Sequence, residues 1–487
     1  MKKVICILSI IAMLLGTAAC AAPGGDVPDT TMFTYSDETI EHPPVETKAF
    51  DTIEPADYGG YTFRILYPQA DNCYTDFYTV EQNGELLNDY IYNRNFKVKE
   101  TLGINLEVAW MSYSDVNNKI RTLVTSGSYD YDMYGGHRSS LVLGYGGQLF
   151  DFYQMEEIDL DKEWWDQGWI DAISINNSIY ALVGDISISC LLFISSLTFN
   201  KNLFDTLGIE YPYELVRRNK WTYDALIELL ANYGEDTNND GKMEWENDNF
   251  SITGWGTESG YSLFYASGFS FVSKTPDDSM SLDFNNERLV QIVDKVFKAW
   301  GSTTAYFNNS GTASQHSYPF TIFKEDRALF CDIVLSKIGT FLIDMSSDYG
   351  ILPEPMFDEN QERYYSYTGY TIPITMVPAN CPDPERTGKI IEAFCTASYD
   401  DVTLDMYEIV TKVRNVRDSE SSEMIQLIIR TKHFDPAHWY DIAGYGSFTR
   451  TIIANGTNNA ATLSKTYNNA AKKALETIVK EYAKLKQ

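Results

Sequence analysis

Apolar and polar residues alternate along Tyr61-Thr62-Phe63-Arg64-Ile65-Leu66-Tyr67, a period of two that predicts a strand stopped by Pro68. From Glu85 to Thr101 the apolar positions Leu86, Leu87, Tyr90, Ile91, Phe96 and Val98 recur at roughly helical spacing, and Gly103 follows as a stop. Ile104 to Trp110 predicts a second strand, Ser114 or Asp115 caps a helix running through Val124, and Tyr129 to Tyr134 predicts a third strand. Strand, helix, strand, helix, strand at short spacing implies right-handed βαβ units and a mainly parallel sheet. A second unit starts near Ile179, with strands over Ile179–Val183 and Leu191–Phe199 and a helix over Trp221–Leu230 capped by Thr222. Leu289–Trp300 is an amphipathic helix, and Asn468–Leu485 a lysine-rich one with Ala471, Leu475, Ile478 and Tyr482 on one face. The total is an α/β protein too large for one sheet.

The N-terminus follows a different pattern. Lys2 and Lys3 precede an apolar run from Val4 to Leu15 and the small residues Gly16 to Ala19, which predicts a secretory signal over residues 1–19. The run is shorter than the roughly 20 apolar residues that span a bilayer. Cys20, directly after the small residues, resembles the lipobox of bacterial lipoproteins, which implies cleavage before Cys20 and acylation of its thiol. Thr17 stands where that motif usually has leucine, and Thr17-x-Ala19 also suits an ordinary signal peptidase, which would release a soluble secreted protein. Residues 20–55 are rich in Pro, Gly, Thr, Asp and Glu without apolar periodicity, and predict a disordered linker that holds the folded body off a membrane.

Charge narrows the partners. With 38 basic against 68 acidic residues and a net charge of −30, the chain is unsuited to nucleic acid or an anionic lipid face. Cys73, Cys190, Cys331, Cys381 and Cys395 show neither CxxC pairs nor zinc spacing, so buried free thiols are expected, with Cys381 and Cys395 the one pair suited to bridge. No Gly-x-Ser-x-Gly elbow, phosphate-cradling loop or His-Glu-x-x-His helix is present. The sharpest local motif is Asp236-Thr237-Asn238-Asn239-Asp240-Gly241-Lys242-Met243-Glu244. Oxygen ligands at Asp236, Asn238 and Asp240, a turn at Gly241, the Lys242 carbonyl and Glu244 match a calcium loop, with Asp248 one residue beyond the usual last ligand. A structural Ca2+ is expected there; the alternative is an exposed Asx-rich turn.

Asn177-Ser178-Ile179-Tyr180-Ala181-Leu182, followed by Leu197-Thr198-Phe199-Asn200-Lys201-Asn202-Leu203-Phe204, resembles the family-1 extracellular solute-binding proteins that capture sugars for ABC importers. Gly208-Ile209-x-Tyr211-Pro212-Tyr213-Glu214-Leu215-Val216, Lys220-Trp221-Thr222 and Asp348-Tyr349-Gly350-Ile351-Leu352-Pro353-Glu354-Pro355 continue the likeness. The resemblance implies a two-lobed type II periplasmic-binding-protein fold with crossover strands as hinge and a ligand cleft between lobes. Lobe 1 is expected over residues 56–186 and 372–435, and lobe 2 over 187–371 and 436–487. It further implies a monomeric, non-enzymatic lipoprotein on the extracellular or periplasmic face, with a carbohydrate ligand and ABC permease subunits as partners. A surface glycan-capture lipoprotein without a transporter, and a lipid-anchored glycoside hydrolase, are the alternatives.

Sugar sites pair aromatic platforms with polar hydrogen-bonders. The candidates in the first lobe are His137 and Arg138 after the third strand, Trp164 and Trp165, and Asp185 at the first crossover. In the second lobe they are Trp255 between small neighbours, Asp332 after the strand-like Ala328–Cys331, Tyr367 and Tyr370 before the second crossover, and Trp439.

Overall fold

A computed structural model describes residues 48–69, 76–77, 79–302, 304–308, 317–342, 344–369, 371–403 and 419–486. The predicted signal segment, Cys20, Cys73 and Tyr370 lie outside the described residues. Two sheets are built from β1 (Tyr61–Pro68), β2 (Ile104–Met111), β3 (Met133–Gly136), β4 (Ser195–Asn200), β5 (Phe250–Trp255), β6 (Ala305–Asn308), β7 (Ala328–Val334), β8 (Tyr349–Leu352) and β9 (Ile374–Met376). The first runs β9-β3-β1-β2, with β1 parallel to both β2 and β3 and β9 antiparallel to β3. The second runs β8-β4-β7-β5-β6, with β5 parallel to β6 and β7 and β4 antiparallel to its neighbours.

Local signals explain the first unit. Phe63, Ile65 and Leu66 of β1 are buried, and the helix Leu86–Leu102 that links β1 to β2 ends at Gly103. Gly103 has φ 59, and a Cβ there would sit 2.4 Å from the Asp57 carboxylate, so the turn requires glycine. The helix Tyr113–Ser126 starts earlier than expected because Ser112, not Ser114 or Asp115, caps it by accepting the Asp115 N–H at 3.2 Å. The third strand begins at Met133, not Tyr129. The Asp132 carboxylate just before it accepts from the Tyr61 and Tyr129 hydroxyls and the Arg64 N–H at 2.7 Å, and so fixes the chain on entry.

The crossovers pair with each other. Ile179–Val183 contributes only the bridge Leu182↔Thr375 rather than a strand, and the next bridge, Ile194↔Thr368, joins the same two chain segments. Leu191 belongs to a helical turn, Ser189–Leu192, because the buried Asp76 carboxylate accepts the Ser189 N–H at 2.7 Å and its hydroxyl at 2.8 Å. Asp76 also takes the Tyr67 and Ser187 hydroxyls at 2.7 Å each, which ties the first crossover to β1.

The chain termini depart from the expected lobe and linker limits. Residues before 55 are not all unstructured: Ala49–Thr52 forms a turn whose Ala49 and Phe50 N–H groups donate to Asp400 at 2.9 and 2.8 Å, burying Phe50. The helix Ser419–Arg430 packs on β8 of the second sheet rather than in the first lobe, where the Ser421 hydroxyl accepts the Ile351 N–H at 3.0 Å. The last helix, Ala460–Leu485, touches both halves. Tyr482 packs on Tyr145 and Tyr180 of the first, Ser464 donates to Asn286 beside the second, and the expected face of Ala471, Leu475, Ile478 and Tyr482 is buried. Cys381 and Cys395 are free thiols, as are the buried Cys190 and Cys331. Among the described residues no helix is long and apolar enough to cross a membrane.

Candidate functional site

The carboxyl ends of β5 and β7 meet the second crossover at a cavity of about 220 Å³. Trp255, Asp332 and Tyr367 all line it, together with Phe193, Glu258 and Thr371. Trp255 is the last residue of β5, half-buried, and is held edge-on by Phe320 and Phe341 at ring distances of 5.3 and 6.4 Å. Tyr367 packs with Tyr261 and Tyr265, at 5.5 and 5.6 Å, in a cluster of three nearly parallel rings. Asp332 lies within β7, which extends to Val334 rather than ending at Cys331, and it accepts the Ser259 hydroxyl at 2.7 Å and that of Ser262. Gly254 makes this contact possible, since a Cβ there would meet Ser259 Oγ at 2.4 Å.

The first half reaches this cavity through Tyr113, which starts the helix after β2. Its hydroxyl donates to the Thr371 carbonyl at 2.7 Å, and its ring packs on His137 at 4.8 Å. His137 follows β3 and caps the turn Arg138–Ser140, its ring accepting the Ser139 N–H at 3.2 Å. Burial, reinforced by Arg138, pushes its imidazole down to about 4, so the ring is neutral at pH 7. Arg138 donates to the carbonyls of His438 and Gly446 at 3.1 and 3.2 Å, fastening the turn after β3 to the C-terminal segment. Burial also raises the Glu258 carboxyl, against the nearby Arg450.

Other candidates lie elsewhere. Trp164 and Trp165 are both core side chains, and their indole N–H groups donate to the two oxygens of buried Glu392 at 2.7 and 2.8 Å. Trp439 is also core, edge-on to Trp169 at 4.8 Å. Asp185 lines a separate cavity of about 440 Å³ with Trp165, Asp166, Arg430 and Lys432, and shares no lining residue with the Trp255 cavity. Burial pushes its carboxyl up to about 7 against the pull of Lys432, which pairs with Asp166 at 2.9 Å. Glu258, Tyr113 and Phe193 were not singled out from the sequence. Glu258 and Tyr113 follow the ends of predicted or observed strands, the one signal that marks them.

In the loop Asp236–Asp248, Asp236 accepts the Gly241 N–H at 2.7 Å, Asn238 the Asp240 N–H at 2.9 Å and Asp240 the Lys242 N–H at 2.9 Å. Asp248 accepts from the Thr237 and Glu244 N–H groups at 2.9 and 2.7 Å. The side-chain oxygens are thus turned onto the loop backbone, and among the described residues no group of three His, Cys, Asp or Glu side chains is set to hold a metal.

A model of the bacterial extracellular solute-binding proteins matches residues 94–426. No curated protein matches the chain in sequence. Among solved structures, the cyclic α-maltosyl-1,6-maltose binding protein of Arthrobacter globiformis is similar at 13% identity and a TM-score of 0.55, over 87% of this chain and 100% of that one. The galacto-N-biose/lacto-N-biose I-binding protein of the ABC transporter of Bifidobacterium longum, in complex with lacto-N-biose, is similar at 17% and 0.54, over 87% and 98%. An ABC substrate-binding protein of Listeria monocytogenes, in complex with cycloalternan, follows at 13% and 0.51, over 87% and 99%. At these identities the likeness shows the fold: α/β, of the two-lobed type II periplasmic-binding class.

Proposed function

The chain belongs to the bacterial extracellular solute-binding proteins, and from that premise we propose that it captures a carbohydrate between its two lobes and delivers it to an ABC importer. The observation that supports this most is the cavity at the carboxyl ends of β5 and β7, where a half-buried indole, a carboxylate and a crossover tyrosine converge. An indole face suits the C–H face of a sugar ring, and Asp332 suits its hydroxyls. Tyr113 of the first half donates to the carbonyl of Thr371, which lines the cavity, and a ligand large enough to reach past Thr371 to Tyr113 and His137 would touch both halves and favour the closed form. The lobes of this proposal are built on the two sheets, with Ala181–Ser195 and Tyr367–Ile374 as the hinge.

The reading is of a monomeric binder that releases its guest unchanged to permease subunits. Thermal shift across a panel of linear and cyclic α-glucans and lacto-N-biose tests it. One or more glycans are expected to raise the melting temperature and to be recovered intact. Shortened products would favour a glycoside hydrolase, and no shift from any member would remove the carbohydrate assignment.

Two further parts rest on the sequence. Acylated Cys20 would hold the protein on the outer face of the membrane; Cys20→Ala is then expected to shift it from the membrane fraction to the medium, and an unchanged distribution would count against the anchor. Calcium would act as a clamp on the Asp236–Asp248 loop, the support being the oxygen spacing around Gly241. The ion would draw the Asp236, Asn238 and Asp240 oxygens off the loop N–H groups. Added CaCl2 is expected to raise the melting temperature and EDTA to reverse it, while an Asp240→Ala variant should not respond. A wild-type protein indifferent to both reagents has no such site.

A further inference from the structure

Glu354 stands between Pro353 and Pro355, two residues beyond β8, at the same end of the second sheet as the cavity. It is fully buried, and neither carboxyl oxygen receives an N–H or O–H from the described residues. Leu352 lies across Leu197 from Asp332 in the sheet register, and Glu354, two residues on, meets Asp332, itself buried and lining the cavity. Among the described residues no arginine, lysine or histidine acts on either carboxyl. The titratable groups that face the pair are Glu258 of the following helix toward Asp332, Tyr223 toward Glu354, and the neighbouring Cys331. Arg450 and Arg138 act on Glu258 and Arg288 acts on Tyr223, each one group removed.

Two adjoining carboxyls in such surroundings do not both ionise. With both charged, Glu354 is a buried acceptor with no donor beside a like charge, a costly arrangement. One proton resolves it. Protonated Glu354 becomes a donor to Asp332, whose other donors are the Ser259 and Ser262 hydroxyls. We propose that Asp332 and Glu354 share one proton at neutral pH, and that Glu354 is a positioning residue holding Asp332 as a fixed acceptor at the ligand cavity. The proposal rests on the reading that this cavity takes the ligand. Burial raises both carboxyls, and that of Glu354 far above the ordinary range, in agreement with the geometry.

The unfolded chain gives up this proton above about pH 4.3, whereas the folded chain keeps it. The pair's contribution to stability is therefore full at acidic pH and declines as pH rises toward its raised folded titration. Glu354→Gln supplies a permanent donor of the same shape and should remove the dependence. The test measures urea unfolding of wild type and Glu354→Gln between about pH 5 and about pH 8, where the ratio of their unfolding constants should change by up to about tenfold per pH unit. Asp332→Asn, which also relieves the charge, serves as a second variant if the first does not fold, and it should flatten the profile likewise. Parallel profiles overturn the shared proton.

The ligand arm uses the panel glycan that gives the largest thermal shift. At pH 7 Glu354→Gln, which keeps a donor to Asp332, is expected to bind it about as tightly as wild type, and Glu354→Ala, which leaves Asp332 without that donor, about tenfold more weakly. Equal affinity of all three proteins overturns the positioning role. If the stability profiles differ while no glycan binds at any pH, the carbohydrate reading fails, and Asp332's role at the ligand fails with it.

Discussion

Trp255→Ala is expected to weaken glycan binding about a hundredfold, which is about 2.7 kcal/mol. The indole ends β5, lines the cavity, and packs at steep ring angles on Phe320 and Phe341, so it is already oriented before a ligand arrives. A rigid platform pays little ordering entropy, and stacking adds to the apolar area it covers. Half-burial predicts a small effect on folding, with a melting temperature within a few degrees of wild type. Trp255→Phe should recover part of the affinity, because it keeps an aromatic face of smaller area. Calorimetric titration of the three proteins with the same glycan measures this. Undiminished binding by the alanine variant would place the ligand elsewhere.

Asp76→Ala is expected to be the most damaging substitution for folding, at about 4 kcal/mol. Its carboxylate accepts from Tyr67, Ser187 and both the N–H and hydroxyl of Ser189, all buried. Fully buried Arg94 is stabilised by the same charge and donates to the Asp76 carbonyl and to Ser398. Removing the carboxylate leaves several donors and a guanidinium uncompensated in a dry interior. The damage should extend to the hinge, because Ser187 and Ser189 belong to the first crossover. Asp76→Asn keeps one acceptor and should lose less. Urea unfolding distinguishes these outcomes, and an alanine variant as stable as wild type would show that the network contributes nothing.

The parts legible in the sequence were those set by near neighbours. The alternation in Tyr61–Tyr67, the stop at Gly103, the Thr222 cap and the buried face of the last helix all depend on residues within a few positions. Trp255 was legible from its small neighbours and Asp332 from its place after the apolar run Ala328–Cys331, where α/β sheets present their ligand sites. Tyr367 followed from its place before a crossover. The tryptophans show the limit. Nothing near Trp164 and Trp165 tells that their N–H partner is Glu392, 228 and 227 residues away, and that partner makes them core. Ser419–Arg430 is amphipathic in either lobe, and only its contact with β8 decides which sheet it covers. Nothing near Glu354 marks it beyond the family phrase it belongs to, since its significance comes from Asp332 on a strand two places away in the sheet.

A sugar guest is expected to draw the two lobes together, and small-angle X-ray scattering with and without the best-binding glycan measures that closure. A smaller radius of gyration at saturation, absent in Trp255→Ala at the same glycan concentration, is the predicted result. An unchanged radius with the glycan demonstrably bound would place the ligand on one lobe alone and contradict the account.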